Sequence, residues 1–327
     1  MADRSALITG ITGQDGSYLA ELLVKKGYRV CGLVRRLSSP NMSHLMGIRD
    51  QVEILDGDLM DQSSLNQAVR AAAPTEVYNL AAQSFVGASF SQPVLTGEVT
   101  GLGAVRILEA VRAHAPQARV YQASSSEMFG HVEEEPQRES TRFHPRSPYG
   151  VAKVYAYWAC VNYREAYGMF ISNGILFNHE SERRGTEFVT RRITDGVARI
   201  VAGKSRHLTL GNLDAKRDWG YAPDYVEFMW RTLQHARPDD FVGATGVSHS
   251  VREFLDAAFR HAGIPDWGPY VKVDDKLFRP SEVYNLRGDP SKAERELGWK
   301  AKTPFQDLVR IMVDADLERH GVPRPTP

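Results

Sequence analysis

Cysteine is nearly absent from this chain: Cys31 and Cys160 are the two among 327 residues. Two isolated thiols build neither a disulfide framework nor a metal cluster, and each reads as a small buried hydrophobe. A surplus of charge is also missing, since 40 Lys and Arg face 40 Asp and Glu. That balance argues against a broad nucleic-acid surface. No apolar run approaches the roughly 20 residues that span a bilayer. The short apolar run after Met1–Ser5 does not read as a secretory leader. Internal repeats and low-complexity stretches are lacking too. A cytoplasmic enzyme with no metal, no membrane contact and no nucleic-acid partner is the expectation.

What is present is a regular alternation. Apolar, β-rich runs at Ser5–Thr9, Tyr28–Val34, Val52–Leu55, Val77–Ala82, Arg119–Ala123 and Phe170–Phe177 read as strands. Between them lie helical patterns: Leu19, Leu22 and Leu23 up to a stop at Gly27, Asp61 capping a helix to Ala73, Thr96–Ala115, and Pro148–Gly168. Strand and helix in that order predict an α/β fold, a doubly wound parallel Rossmann sheet. After Phe177 the pattern changes. Helices over Phe188–Ala202, Tyr225–Ala236, Val251–His261 and Pro304–Arg319 mix with short strands, predicting a smaller C-terminal α/β lobe for substrate. The expected division is residues 1–178 for a dinucleotide and 179–327 mainly for substrate, with later segments returning to the first part.

The loop after the first strand carries Gly10, Gly13 and Gly16, with Thr12, Gln14 and Asp15 between them. Glycine lets backbone approach a pyrophosphate, and the following helix offers unpaired N–H groups. Taken alone, a glycine triplet is also an ordinary turn. Its place between a strand and an amphipathic helix favours a dinucleotide. An acid is missing at the end of the second strand, where NAD binders usually hold the ribose; Arg35 and Arg36 stand there instead. Paired guanidinium groups suit a 2′-phosphate, so NADP is the expected cofactor, against the alternative of a solvated basic turn. Asp58 and Leu59 would flank the adenine. The small residues of Leu80, Ala81, Ala82 and Ser84 would let backbone run beside the cofactor.

Tyr149 and Lys153 are four apart on one helix, so they share a face. A lysine beside a tyrosine favours the phenolate, which can take the proton of a substrate hydroxyl while hydride leaves. Ser125 and Glu127 sit just past a strand, at the edge where doubly wound folds bind ligands. Serines after a strand are otherwise turn residues, and a lone Glu127 is otherwise a solvated or capping carboxylate.

Seven segments then carry a resemblance: Thr9–Tyr18, Tyr78–Val86, Glu127–Gly130, Pro145–Lys153, Phe177–Ser181, Lys216–Gly220 and Arg279–Val283. They resemble the extended short-chain dehydrogenase/reductase superfamily (the NAD(P)-dependent epimerases and dehydratases) and, within it, the GDP-mannose 4,6-dehydratase family. The resemblance implies oxidation of GDP-mannose at carbon 4, loss of water across carbons 5 and 6, and return of the hydride to carbon 6. Tyr149 would be the base at carbon 4, Ser125 a donor to the oxygen, and Glu127 the acid–base group at carbons 5 and 6. It further implies cofactor contacts at Leu176, His179 and Arg184, and substrate contacts at Ser84, Asn178, Val189, Arg192, Arg217, Arg279 and Glu282. A homo-oligomer, dimer or tetramer, is implied, with Thr96–Ala115 and Pro148–Gly168 as helices that could pair between subunits.

Two departures stand out. Ser125 occupies a position where the family usually has threonine, and Glu182-Arg183 replaces a more usual Pro-first pair. The methyl lost at Ser125 raises GDP-manno-heptose as an alternative substrate. A plain epimerase or reductase would need no Glu127, and a non-catalytic NADP-binding protein would not need Tyr149 and Lys153.

Overall fold

The computed structural model describes residues 4–39, 41–278 and 280–324. Its first half runs β1 (Ser5–Thr9), α1 (Gln14–Lys25), β2 (Arg29–Val34), β3 (Val52–Asp56), α2 (Gln62–Ala72) and β4 (Glu76–Asn79). Then come α3 (Val86–Ser91), α4 (Pro93–Thr96), α5 (Gly103–His114), β5 (Arg119–Ser125), α6 (Pro148–Tyr167) and β6 (Ile171–Leu176). The remainder comprises β7 (Asn178–Glu180), α7 (Val189–Val201), β8 (Leu208–Leu210), β9 (Lys216–Arg217), β10 (Trp219–Tyr221) and α8 (Ala222–Gln234). It continues through β11 (Phe241–Gly243), β12 (His249–Ser250), α9 (Val251–His261), β13 (Val271–Val273), β14 (Asn285–Leu286), α10 (Ser291–Leu297) and α11 (Phe305–Arg319).

Seven parallel strands form the central sheet in the order β11-β6-β5-β4-β1-β2-β3. The chain winds outward from β1 in one direction and from β4 in the other, so a crevice opens between their carboxyl ends. Alternation along the strands feeds two cores. Ala6, Ile8 and Tyr78 face α1 and α8, while Leu7 and Val77 face α2 and α5. The C-terminal lobe has its own core, where Ile193, Val197, Phe254, Phe259, Met312 and Leu317 bring α7, α9 and α11 together. Beside it, Asp316 is buried and takes both Arg191 Nε and Nη2, at 3.0 and 2.8 Å.

Most expected elements form, and the differences have local causes. The strand expected over Val77–Ala82 stops at Asn79 because the Thr9 hydroxyl accepts the N–H groups of Leu80 and Ala81, both at 3.1 Å, and lifts that backbone out of the sheet. The helix expected over Thr96–Ala115 starts earlier, at Pro93, and widens into a π-helical turn at Gly97–Leu102 before α5. Asp61 does cap α2, accepting from Ser63 N and Ser64 N. Strand β11 rejoins the central sheet from the second half of the chain, beside β6. Among the described residues no helix is long and apolar enough to cross a membrane.

Helix α6 is set hard against the turn that follows β5. Ser147 caps it by accepting from Gly150 N at 3.0 Å, and Pro148 starts it. A Cβ on Gly150 would lie 2.7 Å from the Glu127 carbonyl oxygen, so only glycine permits this approach. Gly150→Ala should therefore cost about 1–3 kcal/mol of stability through overpacking. Denaturant unfolding would read the loss, and a midpoint equal to wild type would show that the two segments do not depend on this contact.

Candidate active site

A cavity of about 610 Å³ lies over the carboxyl ends of the central strands, roofed by the C-terminal lobe. Four side chains meet in its wall. Ser125 and Glu127 come from the end of β5 and the tight turn after it, and Tyr149 and Lys153 from the first turns of α6. Glu127, Tyr149 and Lys153 are all buried, and Ser125 is half-buried. The Ser125 hydroxyl accepts from Glu127 N at 3.2 Å and also hydrogen-bonds the Tyr149 phenol.

Lys153 Nζ donates to the Ala123 carbonyl at 2.6 Å and stands 5.7 Å from the Tyr149 ring. Burial pushes its pKa down to about 8, although the Asp15 carboxylate pulls the other way. Burial pushes the Tyr149 phenol up to about 12, while a hydrogen bond with Ser125 pulls it down and the Glu127 charge pushes it further up. In the protein alone, then, the phenol is protonated at neutral pH and Lys153 is still charged.

The glycine loop closes the crevice from the other side. Gly10 takes φ +72°, and a Cβ on Gly16 would lie 2.3 Å from Gly10 O and 2.6 Å from Ile11 Cα. No side chain caps the start of α1 at Gly13, so the helix opens with its backbone N–H groups toward the crevice. These are the features a bound pyrophosphate requires, and the loop fits one.

Residues on α1 are locked to β7. His179 donates from Nδ1 to the Phe177 carbonyl and from Nε2 to Asp15 Oδ2, both at 2.8 Å. With oxygen acceptors on both nitrogens, the imidazole is doubly protonated. Burial disfavours that charge, but Asp15 outweighs it and raises the His179 pKa. The Asp15 pKa is lowered: burial works against ionisation and is overcome by His179 and by the 2.9 Å bond from Gln14 Nε2. The His179 ring also stacks on Tyr225, 4.6 Å between centroids. Gln14 is spent on the same junction, donating to His179 O and accepting from Ser181 Oγ.

Other expected residues distribute as follows. Leu80, Ala82, Ser84 and Leu176 line the floor of the cavity, and Asn178, Arg184, Val189, Arg192, Arg217 and Glu282 its lobe side. Arg184 forms a 3.1 Å ion pair with Glu180, bent too far for a hydrogen bond, and lies over the Phe188 ring at 3.6 Å. Arg217 donates to the carbonyls of Lys216 and Val283, each at 2.8 Å. Gly10, Thr12, Gly13, Gln14, Gly16 and Ala81 belong to the crevice outside this cavity. Arg35 and Arg36 are exposed just past β2. Asp58 accepts from Met60 N at 2.9 Å, and Leu59 is buried against the core on the α2 and α5 side of the sheet. Arg279 lies outside the described residues. Sequence reasoning did not single out Asn212, Trp219, Lys276 and Phe278 in the cavity wall; Trp219 lies within the recognised Lys216–Gly220 segment and Asn212 just before it.

A family model described as GDP-mannose 4,6 dehydratase matches residues 7–312. The chain is 53% identical over 325 residues to GDP-mannose 4,6 dehydratase 1 of Arabidopsis thaliana, covering 96% of this chain and 90% of that protein. It is 51% identical over 339 residues to GDP-mannose 4,6 dehydratase of Homo sapiens, covering 96% and 91%. Among solved structures, UDP-glucose 4-epimerase of Thermus thermophilus in complex with NAD matches with a TM-score of 0.84 at 27% identity, over 95% of this chain and 98% of that one.

The buried ammonium yields a signed pH dependence. Lys153 has a folded pKa of about 8 against an ordinary 10.5. Between those values the unfolded chain binds more protons, so this group adds stability as pH rises through the window. Lys153→Met should lack that gain. The wild type should improve relative to the variant by about 3 kcal/mol across the window, read by denaturant unfolding at several pH values. Parallel curves would contradict the burial of a charged Lys153.

Proposed function

The chain belongs to the GDP-mannose 4,6-dehydratase family, and we propose that it converts GDP-D-mannose to GDP-4-keto-6-deoxy-D-mannose in the cavity over the central sheet. The observation carrying this reading is that Tyr149, Lys153, Ser125 and Glu127, from two separate segments, meet in one cavity wall. A phenol–lysine pair can take an alcohol's proton as its hydride passes to a nicotinamide; a carboxylate in the same wall can also remove the proton that a new ketone has acidified.

When bound, a nicotinamide cofactor supplies the acceptor for the carbon 4 hydride, gives that hydride back at carbon 6, and in its oxidised form adds positive charge near the phenol. Tyr149, its phenolate favoured by charged Lys153, takes the proton of the carbon 4 hydroxyl. Ser125 donates its hydroxyl hydrogen to the same oxygen. Glu127 takes the carbon 5 proton and delivers it to the departing carbon 6 hydroxyl, which leaves as water. Tyr149 finally returns its proton to carbon 5. Protons and electrons balance, and no external oxidant is consumed. Each acid–base contribution is worth roughly 10²–10⁴ in rate.

For the cofactor, the cradle of Gly10, Thr12, Gly13, Gln14, Asp15 and Gly16 would hold the pyrophosphate, and Leu80, Ala81, Ala82 and Ser84 would run beside it. Leu176, His179 and Arg184 would border the nicotinamide, with His179 acting from its locked position. We take the cofactor to be NADP, because Arg35 and Arg36 stand exposed past β2 where a 2′-phosphate would reach. For the substrate, Arg192, Arg217 and Arg279 would take the diphosphate, Asn178 and Glu282 polar groups of the sugar nucleotide, and Val189 an apolar face. Residues 1–178 would thus serve mainly the cofactor and 179–327 mainly the nucleotide sugar. GDP-manno-heptose is set aside, since the family and both relatives are GDP-mannose dehydratases by description.

A homo-oligomer is part of the proposal. Val94 and Leu95 on α4, and Val151, Tyr155 and Trp158 on α6, are large apolar residues left exposed, which supports pairing of these helices with a second copy. The cytoplasm is the proposed setting, since a reducing compartment suits two free, buried thiols.

Purified protein given GDP-mannose and trace NADP should release a product one water lighter, and Glu127→Gln should slow that release by about 10²–10⁴ while keeping nucleotide-sugar binding. Absence of the dehydrated product would overturn the activity, and unchanged turnover in the variant would remove the role of Glu127. Arg35→Ala should weaken NADP by about tenfold, the loss of one charge-assisted contact, and NAD far less. Equal losses in a calorimetric titration would end the 2′-phosphate argument.

A further inference from the structure

The loop after β8 and the segment before β14 meet in the cavity wall, where Asn212 Nδ2 donates to Glu282 Oε2 at 3.1 Å. The other end of the same amide is also fixed: Asn212 Oδ1 accepts from Asp214 N at 2.9 Å. A flipped amide would set its NH₂ group against that N–H, so the orientation is determined and the donor is committed to Glu282. Backbone next to Glu282 is held by the same stretch of chain. Arg217 Nη1 donates to Val283 O at 2.8 Å, and Lys216 N donates to Tyr284 O at 2.7 Å. Residues 212–217 therefore grip both the side chain and the neighbouring main chain of one half-buried carboxylate. Among the described residues, charged groups sharing this part of the wall include Arg217 from β9 and Lys276 from the turn after β13, while Asp214, two positions from Asn212, is paired with Arg252 at 3.0 Å.

We propose that Asn212 is a positioning residue for ligand selection, holding the Glu282 carboxylate where it accepts from a hydroxyl of the nucleotide sugar. This rests on the reading of the cavity as a GDP-mannose site. Without the amide, Glu282 is free to swing toward the Lys276 or Arg217 side chains and stop acting as a hydroxyl acceptor. The effect falls on ligand affinity and leaves the acid–base groups on β5 and α6 untouched.

Three proteins test it: wild type, Asn212→Ala and Asn212→Asp, each assayed for GDP-mannose dehydration, for GDP-mannose binding by calorimetry and for thermal midpoint. Asn212→Ala should raise KM and Kd by about tenfold, the equivalent of one hydrogen bond to a charged group, with kcat nearly unchanged. Asn212→Asp sets two carboxylates in contact, which must share a proton to coexist. Its KM relative to wild type should therefore climb as pH rises from about 5 to 8, the range in which such a pair loses that proton. A role confined to folding would lower the thermal midpoint without that pH trend. Wild-type KM and Kd in Asn212→Ala, or a pH-independent ratio for Asn212→Asp, overturns the inference. A wild type that binds GDP-mannose but does not dehydrate it sinks the activity instead, and the binding arm still decides on Asn212.

Discussion

Burial of the Lys153 ammonium against the Ala123 carbonyl couples the two halves of the reactive wall. One hydrogen bond, 2.6 Å long, joins the helix that supplies the phenol to the strand that leads to Ser125 and Glu127. A charged amine away from water is costly unless it is hydrogen-bonded, so the helix has little freedom to slide along the strand. The close approach of Gly150 to Glu127 O fixes the same interface sterically. Geometry and charge thus enforce one register, and the cavity wall inherits it.

Charges in this region form a sequence of opposite signs reaching from the glycine loop to the reactive groups. Asp15 is ionised by His179 and in turn favours the charge on Lys153. Burial opposes ionisation of Tyr149 most; Ser125 and the Arg184 charge favour it, and Glu127 and Asp15 add to the opposition. The phenol therefore feels a carboxylate at Glu127 and a guanidinium at Arg184, charges of opposite sign acting on one proton. Desolvation amplifies each of these influences, since few waters remain to screen them.

Much of this architecture was legible in the chain itself. Apolar runs marked β1, β2, β3, β5 and β6, and Asp61 and Pro148 marked helix starts, because these features are set by local chemistry. Where long-range contacts intervened, local patterns misled. Leu80 and Ala81 continue an apolar run, yet Thr9, more than seventy positions away, pulls their N–H groups out of the sheet. The widened turn at Gly97–Leu102 is a short π-helical stretch inside a longer helical run and leaves little trace in composition. At the site, spacing put Tyr149 and Lys153 on one helix face, whereas Ser125 and Glu127, ordinary turn residues by position, took their roles from the resemblance. The pairing of Asp15 with His179, 164 positions apart, was not, since neither residue announces a partner. Asn212 and Lys276 are polar loop residues, and only the fold brings them to the cavity.

Divergence of ligand choice in such a chain is channelled by the short stretch from Phe177 to Ser181. Phe177 orients the imidazole, His179 neutralises the acid of α1, Glu180 faces Arg184 and accepts from Thr190, and Ser181 braces Gln14. A substitution there disturbs contacts on both sides of the crevice at once. Among the described residues, the loops around 211–215 and 275–284 bond to each other and to their own lobe, and make no hydrogen bond to α1. Variation in sugar or nucleotide preference can accumulate in those loops while the reactive wall stays as it is, so one scaffold can serve a succession of ligands without reinventing its chemistry.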